Sequence, residues 1–389
     1  MSYTDENGNE TEYEYDEDND ELLRVYTTVD GVTHDVNYAY DTNGRLSSVS
    51  QSGVSYGFSY DVYGRRTATR VGTQTLASYS YNSRGLLGST TYGNGTVHSL
   101  SYDESDRLIS EAYNGTTAYT YSYNTEGYLG KATDIPLGIT TYYDYDLVGR
   151  VTDVDSTDGV SSHFTYNEYN AIESYVVKKN GAEISEAEYV YDEDGLLSEV
   201  YSDYATFEYT YDSLNRLTRR THSLGGIPIR TSYSYLAGSG SNTTGLVSSI
   251  SYTDNGIAKL PQLSYTYDNK GNILTVSQNG VLNNSYTYDE LDRLVREDNK
   301  DLNQTIIYTY DTRGNILKKE YYDYTTGTLG NIVDTVNYTY DSTWKDKLVN
   351  YDGETFAYDS IGNPTTYRGD SLSREKGRLL KFRSTNCNS

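Results

Sequence analysis

A nine-residue motif recurs along the chain and constrains its fold more than any other feature. The pattern is Tyr-x-Tyr-Asp-x-x-Gly-Arg-Leu, and a clear copy runs from Tyr38 to Leu46. Its second tyrosine returns every 23 residues or so, and a fixed period of this length indicates a repeat architecture (about 20–50 residues). We count sixteen copies by that tyrosine: Tyr15, Tyr40, Tyr60, Tyr81, Tyr102, Tyr123, Tyr145, Tyr166, Tyr191, Tyr211, Tyr235, Tyr267, Tyr288, Tyr310, Tyr340 and Tyr358.

Two turn signals in each copy predict one pair of strands. The motif supplies Asp-x-x-Gly, and Asn-Gly or Asp-Gly dipeptides between copies favour the type I′ turns that join antiparallel strands. No segment keeps the i, i+3, i+4 apolar spacing of a helix. We therefore predict an all-β fold, in which tandem antiparallel β-hairpin repeats form a continuous curved or spiralling sheet. The dipeptides begin at Asn7, Asp30, Asn94, Asn114, Asp158, Asn180, Asn255, Asn279 and Asp352.

Variation among the copies separates the roles of the two tyrosines. The first position holds Tyr in twelve copies, Phe in three and Leu in one, so it requires only an apolar body. The second holds Tyr in all sixteen, and we expect its hydroxyl to bond the backbone or turn of a neighbouring hairpin. The residue between them faces the other side of the strand and is Ser or Thr in eleven copies.

The residues after the second tyrosine predict a capped turn. Asn replaces the Asp in three copies, so the position requires a short acceptor rather than a charge. Three residues later come Gly, Asn or Asp, which tolerate positive φ. Arg follows in six copies, and we expect it to pair with a turn carboxylate of the adjacent copy. The clearest residues of this structural motif are Tyr38, Tyr40, Asp41, Gly44, Arg45, Tyr60, Asp61, Gly64, Arg65, Tyr145, Asp146, Gly149, Arg150, Tyr211, Asp212, Asn215, Arg216, Tyr267, Asp268, Gly271, Tyr288, Asp289, Arg293, Tyr310, Asp311, Gly314, Tyr358, Asp359 and Gly362.

Composition excludes several classes of function. The formal net charge is −25, and such acidity disfavours nucleic-acid binding, which needs a basic patch. No run of about 18 apolar residues is present, so we predict no membrane insertion. Residues 1–6 are acidic and polar, which is not typical of a secretory signal.

Candidate catalytic groups are scattered. His34, His98, His163 and His222 lie in different copies, and no Ser/His/Asp or Cys/His spacing is present. The single cysteine, Cys387, cannot form an intramolecular disulfide, and we interpret it as an incidental thiol. We predict no catalytic residue and no cofactor; a hydrolase would need a clustered acid/base pair.

One acidic segment resembles a calcium-binding loop. Asp16, Asp18 and Asp20 occupy positions one, three and five of an EF-hand pattern. Glu21 and Thr27 stand where that pattern requires Gly and Glu. We therefore favour an acidic variant of the repeat turn over a calcium site, and we predict no metal site.

The repeat closely resembles the YD repeat of the RHS (rearrangement hot spot) family, which includes Tc-toxin C-components, wall-associated polymorphic toxins and teneurins. The resemblance covers residues from about 3 to 370. It implies a β-sheet ribbon that spirals into a hollow shell around a C-terminal toxin, here as a partial YD shell. The Asp-Pro-x-Gly-Leu-like segment that ends the shell in many members is not found, so neither autoproteolysis nor toxin activity is implied.

We therefore predict a non-enzymatic structural protein. Residues 1–370 form one repeat domain, and residues 371–389 begin a further repeat or core region. The resemblance implies a secreted or cell-surface setting and, in full-length relatives, a C-terminal toxin or effector as partner. The alternative is a carbohydrate- or cell-surface-binding module, since tyrosine rings stack on sugars. The strict period favours packing, because binding sites are few and local.

Overall fold

Every regular element that the structure describes is a β-strand, so the predicted all-β fold of tandem antiparallel hairpins is confirmed. This computed structural model describes residues 1–5, 8–29, 31–238, 243–254, 256–367, 369–377 and 379–384. The strands belong to a 33-stranded and a three-stranded antiparallel sheet. Asn7, Asp30, Asn255 and Cys387, which carried sequence predictions, lie outside the described residues.

Within the described ranges, we find no helix with the length and apolar character needed to cross a membrane.

The strands follow one another with short turns between them. In chain order they are β1 (Ser2–Thr4), β2 (Glu10–Tyr15), β3 (Leu22–Val29), β4 (Val32–Tyr40), β5 (Leu46–Gln51), β6 (Val54–Tyr60), β7 (Arg66–Val71), β8 (Gln74–Tyr81), β9 (Leu87–Tyr92), β10 (Val97–Tyr102), β11 (Leu108–Tyr113), β12 (Thr116–Tyr123), β13 (Leu129–Asp134), β14 (Ile139–Tyr145), β15 (Val151–Ser156), β16 (Val160–Tyr166), β17 (Ile172–Lys179), β18 (Ala182–Tyr191), β19 (Leu197–Ser202), β20 (Ala205–Tyr211), β21 (Leu217–Leu224), β22 (Ile227–Ala237), β23 (Thr243–Asp254), β24 (Ile257–Ala258), β25 (Leu263–Tyr267), β26 (Ile273–Gln278), β27 (Val281–Tyr288), β28 (Leu294–Asn299), β29 (Gln304–Tyr310), β30 (Ile316–Asp323), β31 (Ile332–Tyr340), β32 (Leu348–Tyr351), β33 (Glu354–Thr355), β34 (Thr366–Tyr367), β35 (Asp370–Glu375) and β36 (Leu379–Ser384).

The chain divides into two compact units. Unit 1 comprises residues 1–116, 268–272 and 284–389, and unit 2 comprises residues 117–267 and 273–283. In each unit, strands that follow one another in the chain pair antiparallel, as β4 does with β5 and β20 with β21. The three-stranded sheet of unit 1 consists of β34, β35 and β36. It therefore contains residues before and after position 370, where the sequence analysis placed the end of the repeat domain.

Two kinds of turn form opposite ends of the hairpins. We call the turn after each second tyrosine the YD turn and the turn at the other end the return turn. The YD turns line one long side of the sheet, at the ends of the strands, and the return turns line the other. We call these two sides the YD edge and the return edge. In fifteen copies the ladder register shifts at the second tyrosine, as between Ala39 and Tyr40. Such a β-bulge re-aims the side chain beside it, so the second tyrosine is turned at the end of its strand.

The return turns depart in part from the type I′ prediction. Asn114, Asn180, Asn279 and Asp352 have φ of 49–52° and precede a glycine with positive φ, as that turn requires. Asn94 and Asp158 do not have positive φ, so the prediction is wrong there. At Asn94 the reason is a longer turn, in which the Tyr92 N–H donates to the Thr96 carbonyl at 2.8 Å.

Candidate functional site: the repeated turn and the seam of unit 1

Each YD turn begins with a side-chain cap on the backbone. One carboxylate oxygen of Asp41 accepts the N–H groups of Asn43 and Arg45, at 2.9 and 3.1 Å. Asn82 and Asn167 make the corresponding two bonds through an uncharged amide oxygen. The cap therefore needs an acceptor and not a charge. The same pair of bonds occurs in twelve copies, at Asp41, Asp61, Asn82, Asp103, Asp146, Asn167, Asp192, Asp212, Asp268, Asp289, Asp311 and Asp359.

The turn then passes through a left-handed residue. Gly44 has a φ of 72°, and its N–H donates to the Asp41 carbonyl at 3.0 Å. Asn215 takes the same conformation with a φ of 61°. The first copy differs from the expected spacing, because positive φ falls on Asp20 rather than Asn19. Its turn is one residue longer.

The arginine that ends the turn pairs with its own turn, which corrects the sequence prediction. Arg45 holds the second carboxylate oxygen of Asp41, with its Nε 2.7 Å away. The turn brings the two side chains together because they lie four residues apart across a reversal of the chain. The same own-turn pair forms in six copies: Asp41–Arg45, Asp61–Arg65, Asp103–Arg107, Asp146–Arg150, Asp212–Arg216 and Asp289–Arg293.

The free end of the same guanidinium reaches the next copy. Nη1 of Arg45 donates to the Asp61 carbonyl at 2.8 Å, and the guanidinium lies 4.9 Å from the centre of the Tyr60 ring. Arg216 lies 4.3 Å from the Tyr235 ring in the same way. The arginine therefore links adjacent copies through a carbonyl and a tyrosine ring, an arrangement that favours a cation–π contact.

These bonds shift the carboxyl groups of Asp41 and Asp212 toward the ionised form. The hydrogen bond from Arg45 is the largest cause that holds the pKa of Asp41 below its usual value, and Arg216 acts likewise on the pKa of Asp212. In three copies an asparagine amide takes the place of the guanidinium: Asn272, Asn315 and Asn363 donate to Asp268, Asp311 and Asp359 at 2.8–2.9 Å.

The hydroxyl of the second tyrosine bonds the preceding copy. Tyr60 donates to the Leu46 carbonyl at 2.8 Å, and Tyr211 donates to the Leu197 carbonyl at the same distance. Burial raises the pKa of Tyr211, because the phenolate loses hydration there. At least thirteen of the described copies make this bond: Tyr40, Tyr60, Tyr81, Tyr102, Tyr145, Tyr166, Tyr191, Tyr211, Tyr235, Tyr267, Tyr310, Tyr340 and Tyr358.

The four histidines have four different surroundings, so the structure does not bring them together. His98 and His163 each bond one carboxylate, that of Glu111 at 2.8 Å and that of Asp153 at 2.6 Å. His34 bonds the Thr312 carbonyl at 2.9 Å. The His222 ring stacks on Phe207, with 4.7 Å between ring centres.

Carboxylates converge at one place that the sequence did not single out. Glu183, Glu186 and Asp203 come together in unit 2, and repulsion from Glu183 is the largest cause that raises the pKa of Glu186. The motif analysis did not find this group, because its members are up to 20 residues apart in the sequence and lie at two different return turns. The segment Asp16–Glu21 is instead a turn, in which the Asp18 N–H donates to the Asp16 carboxylate at 2.9 Å.

A cavity of about 520 Å³ opens in unit 2 where Tyr128 stands in the place of the motif arginine. The Tyr128 ring stacks on Tyr145, with 4.9 Å between ring centres. Tyr143, Glu126 and Leu147 also line the cavity. Aromatic rings beside carboxylates are a surface on which a sugar ring could stack.

Unit 1 also contains a seam, in which return turns of residues 1–95 lie against YD turns of residues 268–363. At one end, Lys270 forms ion pairs with Asp5 and, at 2.8 Å, with Asp292. Asn9 donates its side-chain amide to the Glu290 carbonyl at 2.9 Å. The seam thus joins parts of the chain about 280 residues apart.

The middle of the seam is apolar. Val54, Val71 and Leu76 form a buried cluster, and Tyr56 and Trp344 pack against it. The Ser52 carbonyl beside this cluster accepts from Lys345 Nζ at 3.2 Å. The hydrophobic core of unit 1 is therefore partly built between sequence-distant hairpins.

The far end of the seam is tightly packed. Ile361 is only 1% exposed, and Asn94 donates to the Asp359 carboxylate at 3.0 Å. A Cβ on Gly93 would lie 2.1 Å from the Thr75 carbonyl oxygen and 3.0 Å from Ile361. Glycine is therefore required at position 93 by close approach.

Sequence reasoning missed the seam residues. Trp344 is the single tryptophan of the chain, and it interrupts the Gly/Asn/Asp pattern at the end of a YD turn. That interruption was the available signal. Lys270, which lies inside a turn, gave no comparable signal, because exposed lysines are common.

The fold and the repeated turn define a class of protein: a structural array of YD repeats. The sequence of residues 2–113 matches the family model described as teneurin YD-shell. No curated protein matches the sequence of the chain.

Several solved structures share the fold. The crystal structure of TcdB2-TccC3 without its hypervariable C-terminal region matches with a TM-score of 0.79 and 17% identity, over 98% of this chain and 22% of that chain. TcdB2-TccC3-Cdc42 matches with a TM-score of 0.78 and 17% identity, over 96% and 22%. The Photorhabdus luminescens Tc holotoxin pore with mutated TccC3 matches with a TM-score of 0.77 and 18% identity, over 96% of this chain and 21% of that chain.

The resemblance to the RHS/YD-repeat family is therefore confirmed, by sequence over residues 2–113 and by fold over almost the whole chain. The chain spans about a fifth of the length of the structures that it matches.

Proposed function

We propose that this chain is a non-enzymatic wall segment of a YD-repeat shell, which in a longer protein encloses a C-terminal toxin or effector. In this proposal residues 1–370 are the wall, the repeated Tyr, Asp, Gly and Arg residues are its framework, and residues 371–389 begin a further repeat or core region. The proposed setting is secreted or cell-surface, and the match to the structure of a Tc holotoxin pore supports it.

One observation carries the proposal: the repeated polar groups are used in holding one hairpin to the next. In at least thirteen of the described copies the second tyrosine hydroxyl donates to a carbonyl of the preceding copy, as Tyr60 does to Leu46. Arg45 contacts its own turn and the next turn together. Groups engaged in this way serve a wall, and a catalytic role would leave some of them free to reach a substrate.

Limited proteolysis of the longer gene product tests the enclosure. The segment downstream of residue 389 should resist protease while this wall is folded, and it should be cleaved after mild unfolding. The matched control is the downstream segment expressed without the wall, which should be cleaved at once. Equal cleavage of both forms would reject enclosure.

The cavity at Tyr128 favours a second candidate function, the binding of a glycan. It combines stacked tyrosine rings with carboxylates in a space large enough for a sugar ring. A glycan array followed by calorimetry tests this candidate, with Tyr128→Ala as the variant and Tyr169→Ala, a change at an exposed turn tyrosine outside the cavity, as the control. Saturable binding lost only in Tyr128→Ala would support it, and absence of binding would reject it.

A further inference from the structure

Equivalent positions on the return edge differ sharply in burial. Val54 is the first residue after a return turn of unit 1, and it is 4% exposed. The same position holds Ile227, Ile257 and Val281 in unit 2, where the exposed fractions are 53%, 64% and 60%. Val54 is thus covered, whereas these three apolar residues of unit 2, like Val32 at the same position of unit 1 (45% exposed), are bare.

The cover in unit 1 is a YD edge. Trp344 packs against the cluster that contains Val54. Ile361, the third residue of the last YD turn, is 1% exposed and lies against the return turn at Gly93. The seam therefore shows that the apolar residues of a YD edge fit the apolar residues of a return edge.

Unit 2 also presents bare apolar residues on its YD edge. Val148, Tyr169 and Leu214 occupy the position of Ile361, and their exposed fractions are 69%, 77% and 53%. Leu147, beside Val148, is fully exposed. Several exposed apolar side chains along one edge are typical of an interaction surface in a soluble domain.

We propose that the return edge of unit 2 binds the YD edge of unit 2 in a second copy of this chain. The occupant follows from the seam of unit 1, where a YD edge covers the same residue position. Each copy carries both edges, so the contact is head-to-tail and can continue from copy to copy. The charge of −25 opposes the contact, so association strengthens as salt screens the repulsion.

Sedimentation velocity of the purified chain tests the proposal over a range of protein and salt concentrations. The return-edge variant is Ile227→Asp/Ile257→Asp/Val281→Asp, and the YD-edge variant is Val148→Asp/Leu214→Asp. The matched control is Tyr142→Asp, at a 47% exposed residue in the middle of β14 and away from both edges. Circular dichroism establishes that each variant is folded.

We expect the wild type and the control to associate beyond dimers with rising concentration and salt, and each edge variant to remain monomeric. A mixture of the two edge variants should form a 1:1 dimer, because each keeps the edge that the other has lost. A wild type that stays monomeric throughout overturns the proposal. Association that survives in the edge variants, or a mixture without the 1:1 dimer, overturns it equally.

Discussion

Trp344 donates its indole N–H to the hydroxyl of Tyr56 at 3.0 Å, although 288 residues separate them in the chain. The bond lies beside the buried cluster of Val54, Val71 and Leu76. Repeat arrays are usually stabilised by contacts between neighbouring copies. Unit 1 adds a contact of high sequence separation to those local ones, so its stability depends on two distant parts of the chain together.

Two substitutions of Trp344 should destabilise unit 1 to different extents. Trp344→Phe keeps an aromatic ring but loses the bond to Tyr56, and we expect a loss of about 1 kcal/mol. Trp344→Ala also uncovers the cluster, and we expect a loss of about 2–4 kcal/mol. Urea unfolding followed by circular dichroism measures both. Tyr204→Phe, at a 76% exposed residue, is the control and should have no effect; equal effects of Phe and Ala at position 344 would contradict the packing role.

The two tyrosines of one copy should respond differently to loss of the hydroxyl. Tyr211→Phe removes the donor to the Leu197 carbonyl, and we expect a loss of about 1 kcal/mol. Tyr209→Phe changes the first position of the same copy, where other copies contain Phe58, Phe164 and Phe356. We expect almost no change there. Urea midpoints of the two variants compare them directly, and equal losses would show that the second hydroxyl has no special role.

The turn cap should tolerate an amide better than its removal. Asp212→Asn keeps an acceptor for the Leu214 and Arg216 N–H groups, as Asn82 and Asn167 do in their own copies. Asp212→Ala leaves those groups without the acceptor. We therefore expect thermal unfolding at a lower temperature for Ala than for Asn, by about a few degrees. An Asn variant as unstable as the Ala variant would mean that the Arg216 pair, and not the cap, matters.

Acid should weaken the fold through the turn carboxyls. The pKa of Asp41 and that of Asp212 are lowered in the folded state, first by the hydrogen bonds from Arg45 and Arg216. Their contribution is present above the unfolded pKa and is lost as the pH falls through the lowered folded values, which lie below about pH 4. Urea midpoints between pH 6 and 2 measure this, and Asp41→Asn/Asp212→Asn should flatten the fall. An unchanged pH profile in that variant would contradict the assignment.

Alkali should unfold the protein as Tyr145, Tyr211 and Tyr267, three of the second tyrosines, ionise. Burial is the largest cause that raises the pKa of Tyr145, Tyr211 and Tyr267 above the ordinary value near 10. Their contribution is present below the unfolded pKa and is lost as the pH rises through the raised folded values. Tyrosinate absorbance and circular dichroism, recorded together, should show delayed ionisation that coincides with loss of structure. Complete ionisation near pH 10 with the fold intact would show that these hydroxyls are not held.

The sequence by itself determined the hairpin repeat, because the signals for strands and turns lie within a few residues of the groups that they organise. Asp41 caps N–H groups two and four residues ahead, and Gly44 has the positive φ that its residue type favours. The prediction that Arg45 pairs with a carboxylate of the adjacent copy was wrong, since it pairs with Asp41 of its own turn. Sequence spacing does not tell which carboxylate a long side chain reaches after the chain reverses.

Only the tertiary structure decided which edges are covered. Val54 and Ile257 occupy the same position after a return turn, yet one is buried and the other is 64% exposed. Trp344 makes the difference at Val54, and it comes from a hairpin almost 290 residues later. No local pattern encodes that contact, because burial at an edge depends on the curvature that brings distant copies together and not on the residues of the edge itself.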